Sequence, residues 1–216
     1  MPRRRYLLPV VALVLLVLFF RSSHSFLSLP DILQDFHPLS PASISHTRRA
    51  QEIHGLLHFV VNKPDKILVP AGTIQGDEGA LDPTRPIELR VYGEDGAQDG
   101  SEGEWRERIR ALDRDTPLVV FSKTYCPYSK RAKDLLATYD LYPPPKIVEV
   151  DLRDDGDLIK AILARLTSHT TFPNIILKGE SIGGSDTLLD LHTSRKLRRM
   201  FEKAGMQVRG DVQNKA

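Results

Sequence analysis

The chain has little cysteine and lacks several signals that would point to other classes of protein. Its 216 residues include one cysteine, Cys126, so an intrachain disulfide is excluded and cysteine usage says nothing direct about the redox compartment. The sequence contains no Asn-x-Ser/Thr sequon, no internal repeat and no nucleic-acid motif. Its 30 basic and 28 acidic side chains nearly cancel, and the basic run at 195–199 is interpreted as a solvated helix face. No nucleic acid is therefore expected as a partner.

The N-terminus lacks both an apolar run of full membrane length and a clear Ala-x-Ala cleavage site. Its apolar run at 11–20 is about as long as the core of a signal peptide, and it lies between the arginines at 3–5 and Arg21. Ser23 and Ser25 fit a cleavage site only weakly, so an uncleaved signal anchor is favoured over a cleaved signal peptide. Because positive flanks stay in the cytosol, we predict a single-pass protein of the endoplasmic reticulum or Golgi membrane, with its C-terminal domain in the lumen.

Cys126 lies where a predicted strand meets a predicted helix. The apolar residues at 118–121 indicate the strand, and residues 130–139 indicate the helix. A thiol in the first helical turn faces unpaired backbone N–H groups and the positive end of the helix dipole, and Lys123 adds a positive charge. These features favour the nucleophilic thiolate, so we expect the pKa to fall from ~8.5 into the range ~3.5–7.5. Pro127 suits the first helical position, where its missing N–H costs nothing.

Three segments, in chain order, resemble the active-site motifs of the glutaredoxins. The first, Cys-Pro-Tyr-Ser at 126–129, is similar to the family's Cys-Pro-Tyr-Cys, with Ser129 in place of the second cysteine. The second, Thr-Phe-Pro at 171–173, resembles a Thr-Val-Pro segment whose X–Pro bond is cis in the family. The third, Gly-Gly-Ser-Asp at 183–186, resembles the family's Gly-Gly-x-Asp. The resemblance is to a monothiol glutaredoxin and covers about residues 116–205.

This resemblance implies a catalytic cysteine beside a groove for glutathione. Cys126 would be the catalytic residue, and the helix N-terminus at Asp186 would receive the γ-glutamyl carboxylate. Lys123 would pair with the glycine carboxylate, and the backbone of Phe172 would meet the peptide part of glutathione. Two positions depart from the family pattern, because His169 replaces Gln or Arg and Phe172 replaces Val. The implied glutathione-binding residues are Lys123, Tyr128, His169, Phe172, Pro173, Gly184, Ser185 and Asp186.

The pattern of apolar residues after the cysteine predicts alternating strands and helices. A strand is expected at 146–151, a helix at 155–166 and a hairpin at 175–183, followed by a last helix that breaks near 192–193. The order β-α-β-α-β-β-α is that of the thioredoxin fold. The predicted fold class is therefore α/β, with a four-stranded mixed sheet preceded by a membrane anchor and a stem.

The chain is predicted to have four segments. They are a signal anchor with its flank at 1–29, a stem or linker at 30–115, a glutaredoxin domain at 116–205 and a tail at 206–216. Within the stem we expect an amphipathic helix at 43–61, short strands at 66–69 and 87–92, flexible linkers at 72–79 and 93–103, and a helix at 104–113. His54 and His58 could bind a metal by their spacing, but they are interpreted as polar residues of the first of these helices.

The implied function is glutathione-dependent thiol–disulfide exchange in the secretory pathway. Glutathione would be the co-substrate and glutathionylated proteins the targets, while Ser129 closes the two-cysteine route because it cannot resolve a mixed disulfide. One alternative is a protein that binds a [2Fe–2S] cluster in a homodimer, with Cys126 of each chain and two glutathione thiolates as ligands. No other metal site is predicted. A further alternative is a binding module that has lost turnover, for which His169 and Phe172 are the only support.

Overall fold

The computed structural model describes residues 41–69, 82–87, 89–92 and 102–210. The predicted signal anchor at 1–29, the linker at 72–79, residues 93–101 of the linker predicted at 93–103 and the last residues of the tail lie outside these ranges. The last two residues of that second linker, 102 and 103, already belong to a helix. Within the described ranges, no helix combines the length and apolar character needed to cross a bilayer. The helices are α1 (Pro41–Asn62), α2 (Glu102–Asp115), α3 (Pro127–Ala137), α4 (Gly156–Thr167), α5 (Ser185–Thr193) and α6 (Leu197–Lys203). The strands are β1 (Leu118–Ser122), β2 (Leu141–Tyr142), β3 (Lys146–Glu149), β4 (Asn174–Leu177), β5 (Glu180–Gly183) and β6 (Gln207–Val208).

Four strands form a mixed sheet in the order β3-β1-β4-β5. Strand β1 is parallel to β3 and antiparallel to β4, and β5 continues antiparallel from β4. All five residues of β1 are buried, which explains why its first four residues form a continuous apolar run and not an alternating pattern. The predicted four-stranded mixed sheet of the thioredoxin fold is confirmed, as is the break between the last two helices.

Successive residues of β1 contribute to two separate cores on opposite faces of the sheet. Val120 belongs to the core formed with α3, α5 and α6, whose buried members include Leu136, Leu188 and Phe201. Phe121 belongs to the core on the other face, formed with α4 and α1. The residues of α1 in this second core are Ile53, Leu56, Leu57, Phe59 and Val60.

The described residues between 45 and 115, here called the N-terminal extension, are therefore part of the folded unit, which begins at Ser45. Glu52 of α1 forms a two-oxygen ion pair with Arg165 of α4, with Nη1 and Oε2 2.9 Å apart. The predicted boundary at 116 does not mark the start of the compact unit, because the apolar face of α1 packs against α4 and the sheet. Spacing alone indicated that α1 has an apolar face but not which surface would cover it.

Two segments of the extension that were predicted as strands do not form strands. Residues 66–69 join no sheet, and the backbone N–H of Leu68 donates to Oδ2 of Asp155 at 2.7 Å. In the second segment the N–H of Ile87 donates to Oε1 of Glu52, and residues 89–92 form a 3₁₀ turn. Buried carboxylates thus satisfy backbone donors that a neighbouring strand would otherwise satisfy.

Other boundaries differ by a few residues from the prediction. Strand β3 ends at Glu149, and residues 150–152 form a 3₁₀ turn. The predicted tail begins inside the fold, because Met206 is buried and β6 pairs with β2. His54 bonds to Ala50 and Asp113, and among the described residues no group of three potential metal ligands occurs.

Candidate functional site

The single thiol lies at the junction between β1 and α3. Cys126 is the N-cap of α3, with φ −81° and ψ 121°, and Pro127 occupies the first helical position. The loop before it is fixed from the side by Asp151, which accepts the backbone N–H of Thr124 at 3.0 Å and also the Thr124 hydroxyl. The N–H of Cys126 in turn donates to the carbonyl of Lys123 at 3.2 Å. The thiol is therefore presented by a constrained turn.

The surroundings of Cys126 lower the pKa of its thiol. Burial is the largest single influence and opposes ionisation, but the N–H and hydroxyl of Ser129, the N–H of Tyr128 and the charge of Lys123 together outweigh it. The Ser129 side chain is buried, and its Oγ also accepts the N–H of Lys123 at 3.2 Å. The direction agrees with the sequence-based expectation. The hydrogen bond from the Ser129 hydroxyl is a contribution that the sequence reasoning missed.

A groove of about 470 Å³ opens beside the thiol. The Sγ of Cys126 lies 3.7 Å from the carbonyl oxygen of Phe172, which lines this groove. The groove contains seven of the eight predicted glutathione-binding residues, together with Thr171 and Thr187. These seven are Tyr128, His169, Phe172, Pro173, Gly184, Ser185 and Asp186.

The floor of the groove is built around the peptide bond between Phe172 and Pro173, which is cis. Nε2 of His169 lies 3.1 Å from the carbonyl oxygen of Pro173, so this nitrogen carries a proton and donates it. A Cβ on Gly184 would lie 3.1 Å from the His169 ring and 3.2 Å from the same carbonyl. Glycine at this position therefore lets the histidine, the proline segment and the start of α5 pack closely.

Lys123 is the predicted binding residue that does not line this groove. It borders a second cavity of about 190 Å³, and Phe172 separates the two because it lines both. The Nζ of Lys123 lies 5.6 Å from the centre of the Phe172 ring and 3.2 Å from the hydroxyl of Tyr125. The hydrogen bond to Tyr125 is the main reason that the pKa of Lys123 is raised.

Sequence reasoning also missed Arg131, which contacts three residues of the groove. Its Nε donates to Oγ of Ser185 at 2.8 Å, and its Nη2 pairs with Oδ1 of Asp186. The guanidinium carbon lies 5.2 Å from the centre of the Tyr128 ring. The sequence did contain one signal for this contact: Arg131 follows Tyr128 by three positions, a spacing that places both side chains on one side of α3.

Comparison with known proteins agrees with this arrangement. A family model described as glutaredoxin matches residues 118–182. Monothiol glutaredoxin-S6 of Oryza sativa subsp. japonica is 40% identical over 90 residues, which cover 42% of this chain and 67% of that protein. The chain belongs to the glutaredoxin family. Glutaredoxins are thiol oxidoreductases that use glutathione, and with Ser129 in place of a second cysteine this glutaredoxin is a monothiol one.

A further relative is similar to almost the whole length of this glutaredoxin. Monothiol glutaredoxin-7 of Saccharomyces cerevisiae is 28% identical over 197 residues, covering 91% of this chain and 86% of that protein. Among solved structures, the buckwheat glutaredoxin–glutathione complex is 35% identical with a TM-score of 0.41, and the match covers 49% of this chain and 96% of that one. The similarity to the yeast protein includes the region before residue 116.

Proposed function

We propose that this glutaredoxin removes glutathione from protein mixed disulfides, with free glutathione as the reductant. The observation that carries the proposal is the position of the only thiol. Cys126 has a lowered pKa and lies at the edge of the groove, 3.7 Å from the carbonyl of Phe172. The thiolate is the attacking species in disulfide exchange, so the site favours the reactive form of the cysteine.

The reaction proceeds by two exchanges at Cys126. In the first, the Cys126 thiolate attacks the glutathione sulfur of the mixed disulfide, and the target protein leaves as a thiolate that takes up a proton. In the second, the thiolate of a free glutathione attacks the glutathione sulfur bound to Cys126. Oxidised glutathione leaves, and the Cys126 thiolate is restored. One free glutathione is consumed in each cycle, and the other half of the oxidised glutathione comes from the target's mixed disulfide. One disulfide thus replaces another, so no other reductant is needed.

The charges around the groove support glutathione as the ligand. Asp186 and the N-terminal N–H groups of α5 suit the ammonium and carboxylate of the γ-glutamyl end. Lys123, on the other side of Phe172, suits the glycine carboxylate. To bind it, Lys123 would exchange its bond to the Tyr125 hydroxyl for a stronger, charge-assisted one.

A glutathionylated peptide tests the proposal directly. Release of the peptide thiol, followed with glutathione and glutathione reductase, is expected from the natural chain and from Ser129→Ala. Cys126→Ser should show none, because no other side chain can form the mixed disulfide. Activity that persists in Cys126→Ser, or none in the natural chain, would refute the proposal.

The same preparation tests the iron–sulfur alternative. Each chain supplies one thiolate, so a [2Fe–2S] cluster would require two chains and two glutathiones. The absorption spectrum and the oligomeric state are measured with and without glutathione. A colourless, active protein supports the exchange enzyme, whereas a brown dimer without exchange activity would replace that proposal with the cluster.

We also propose that the first 29 residues anchor the protein in the membrane of the secretory pathway. The support is the sequence of arginines at 3–5 followed by the apolar run at 11–20. A C-terminal tag should resist protease in intact microsomes and become sensitive when detergent is added. Digestion of the tag without detergent would refute the lumenal orientation.

A further inference from the structure

One guanidinium contacts three residues that line the glutathione groove, although it does not line the groove itself. Arg131 bonds to Ser185 and Asp186 at the start of α5 and stacks over the ring of Tyr128 on its own helix. Tyr128, Ser185 and Asp186 all line the groove. Arg131 thus connects α3, which carries Tyr128, with the start of α5.

The contacts leave the binding groups of these residues available. The ion pair uses Oδ1 of Asp186, so Oδ2 is not occupied by it. The Oγ of Ser185 accepts the hydrogen bond from Arg131 and keeps its own proton to donate. The guanidinium lies over the ring of Tyr128, and this residue remains 54% exposed. Arg131 therefore fixes the orientation of these groups without blocking them.

The free energy of the ion pair itself is small, because both partners are well exposed. Arg131 is 45% and Asp186 is 78% exposed, and such pairs contribute little to folding. Holding Asp186 and Tyr128 in place before the ligand arrives still favours binding, because less side-chain freedom is lost when glutathione binds.

We propose that Arg131 is a positioning residue that prearranges Tyr128, Ser185 and Asp186 for the γ-glutamyl end of glutathione. This inference rests on the proposed function, since it assumes that glutathione occupies the groove. It assigns to Arg131 a contribution to affinity for glutathione and none to the reactivity of the thiol. Arg131 acts through Asp186 and its neighbours, so its effect should depend on their presence.

Steady-state kinetics of Arg131→Ala test this assignment. We expect the KM for glutathione to rise about three- to tenfold, with kcat and the thiolate titration of Cys126 unchanged. Arg131→Lys keeps the charge but loses the forked geometry, so it should recover part of the affinity. Lys130→Ala is the matched control, because Lys130 is the exposed neighbour on α3 and pairs with Asp134, away from the groove.

A double-mutant cycle separates positioning from a direct effect. In an Asp186→Ala background, Arg131→Ala should raise the KM by less than about twofold, because its main partner is already gone. Full additivity would overturn the positioning role. An unchanged or lowered KM in Arg131→Ala would overturn the inference as a whole.

A binding measurement distinguishes failure of the inference from failure of the proposed function. Calorimetric titration of Cys126→Ser with reduced glutathione gives the affinity without turnover. The proposed function fails if the natural chain has no exchange activity. The inference fails if adding Arg131→Ala to Cys126→Ser leaves the dissociation constant for glutathione unchanged, whatever the activity of the natural chain. A larger dissociation constant in that double variant supports the inference, independently of whether the natural chain shows exchange activity.

Discussion

The two faces of the central sheet use charged side chains in opposite ways. On the face covered by α1 and α4, the carboxylates of Glu52 and Asp155 are 5% and 0% exposed, and each is paired with an arginine. On the face covered by α3 and α5, the pair between Arg131 and Asp186 is exposed and borders the groove. One set of charges is enclosed by protein, whereas the other remains open to a ligand.

This difference separates the residues that hold the fold from those that bind. A buried carboxylate cannot lose its partner without leaving a charge in a poorly solvated place. An exposed pair can exchange one partner for a ligand at little cost, because water solvates both states. The N-terminal extension therefore supplies stability on one face, while the opposite face keeps its charges available for chemistry.

The largest expected effect comes from breaking the buried pair that joins α1 to α4. Glu52→Ala removes the partner of Arg165 and also the acceptor for the N–H of Ile87. We expect the free energy of unfolding to fall by about 3 kcal/mol, measured by urea denaturation. Glu107→Ala is the control, because its pair with Arg110 on α2 is exposed and should change stability by less than about 0.5 kcal/mol.

The KM for glutathione of the Glu52→Ala variant sharpens the comparison. It should equal that of the natural chain wherever the variant is folded, because neither Glu52 nor Arg165 lines the groove or the cavity beside Lys123. Equal unfolding energies for Glu52→Ala and Glu107→Ala would contradict the assignment of stability to the buried pairs.

The next largest expected effect concerns the charge of Lys123, which lies on the other side of Phe172 from the groove. Lys123→Ala should raise the KM for glutathione by about three- to tenfold, since it removes a charge-assisted contact that is open to water. Tyr125→Phe is the informative companion, because it frees Lys123 from its hydrogen bond and leaves the charge in place. We expect the KM of Tyr125→Phe for glutathione to be no higher than that of the natural chain. If Lys123→Ala leaves the KM unchanged, the lysine has no part in binding.

A smaller effect is expected from the hydroxyl that bonds to the thiolate. The Ser129 hydroxyl lowers the pKa of Cys126, so Ser129→Ala should raise that pKa and move the rising limb of the pH–rate profile to higher pH. Most of the activity should remain above the new pKa, because glutathione and not residue 129 resolves the mixed disulfide. Ultraviolet titration of the thiolate measures the shift, and an unchanged titration would exclude the hydroxyl as a cause.

The motifs of the site could be predicted from the sequence, but their mutual positions could not. The order of Cys126, the segment at 171–173 and Asp186 along the chain indicated the family, because each motif performs its own local task. Phe172 lines both the main groove and the cavity beside Lys123, an arrangement that the order of the motifs along the chain does not specify. Arg131 contacts residues 54 and 55 positions away, and local spacing carries no information about such contacts.

The smallest expected effect is a pH dependence of stability that originates in the N-terminal extension. His54 of α1 has acceptor oxygens at both ring nitrogens, the Ala50 carbonyl at 2.7 Å and Oδ1 of Asp113 at 3.2 Å. Both bonds require protons on the ring, which favours the imidazolium. Burial is the largest influence and lowers the pKa of His54, but the bonds to Asp113 and Ala50 together outweigh it and raise the pKa.

A raised pKa in the folded state means that this stabilisation is complete below the unfolded pKa of about 6.5 and is lost as pH rises through the folded value. Asp113 is 28% exposed, so water screens the pair and the loss should stay below about 1 kcal/mol. Urea denaturation at pH 5.5 and pH 8.5 measures it, and Asp113→Asn controls for all other titrating groups. The natural chain should lose more stability than Asp113→Asn over this interval. An equal loss in both proteins would show that the His54–Asp113 contact does not contribute.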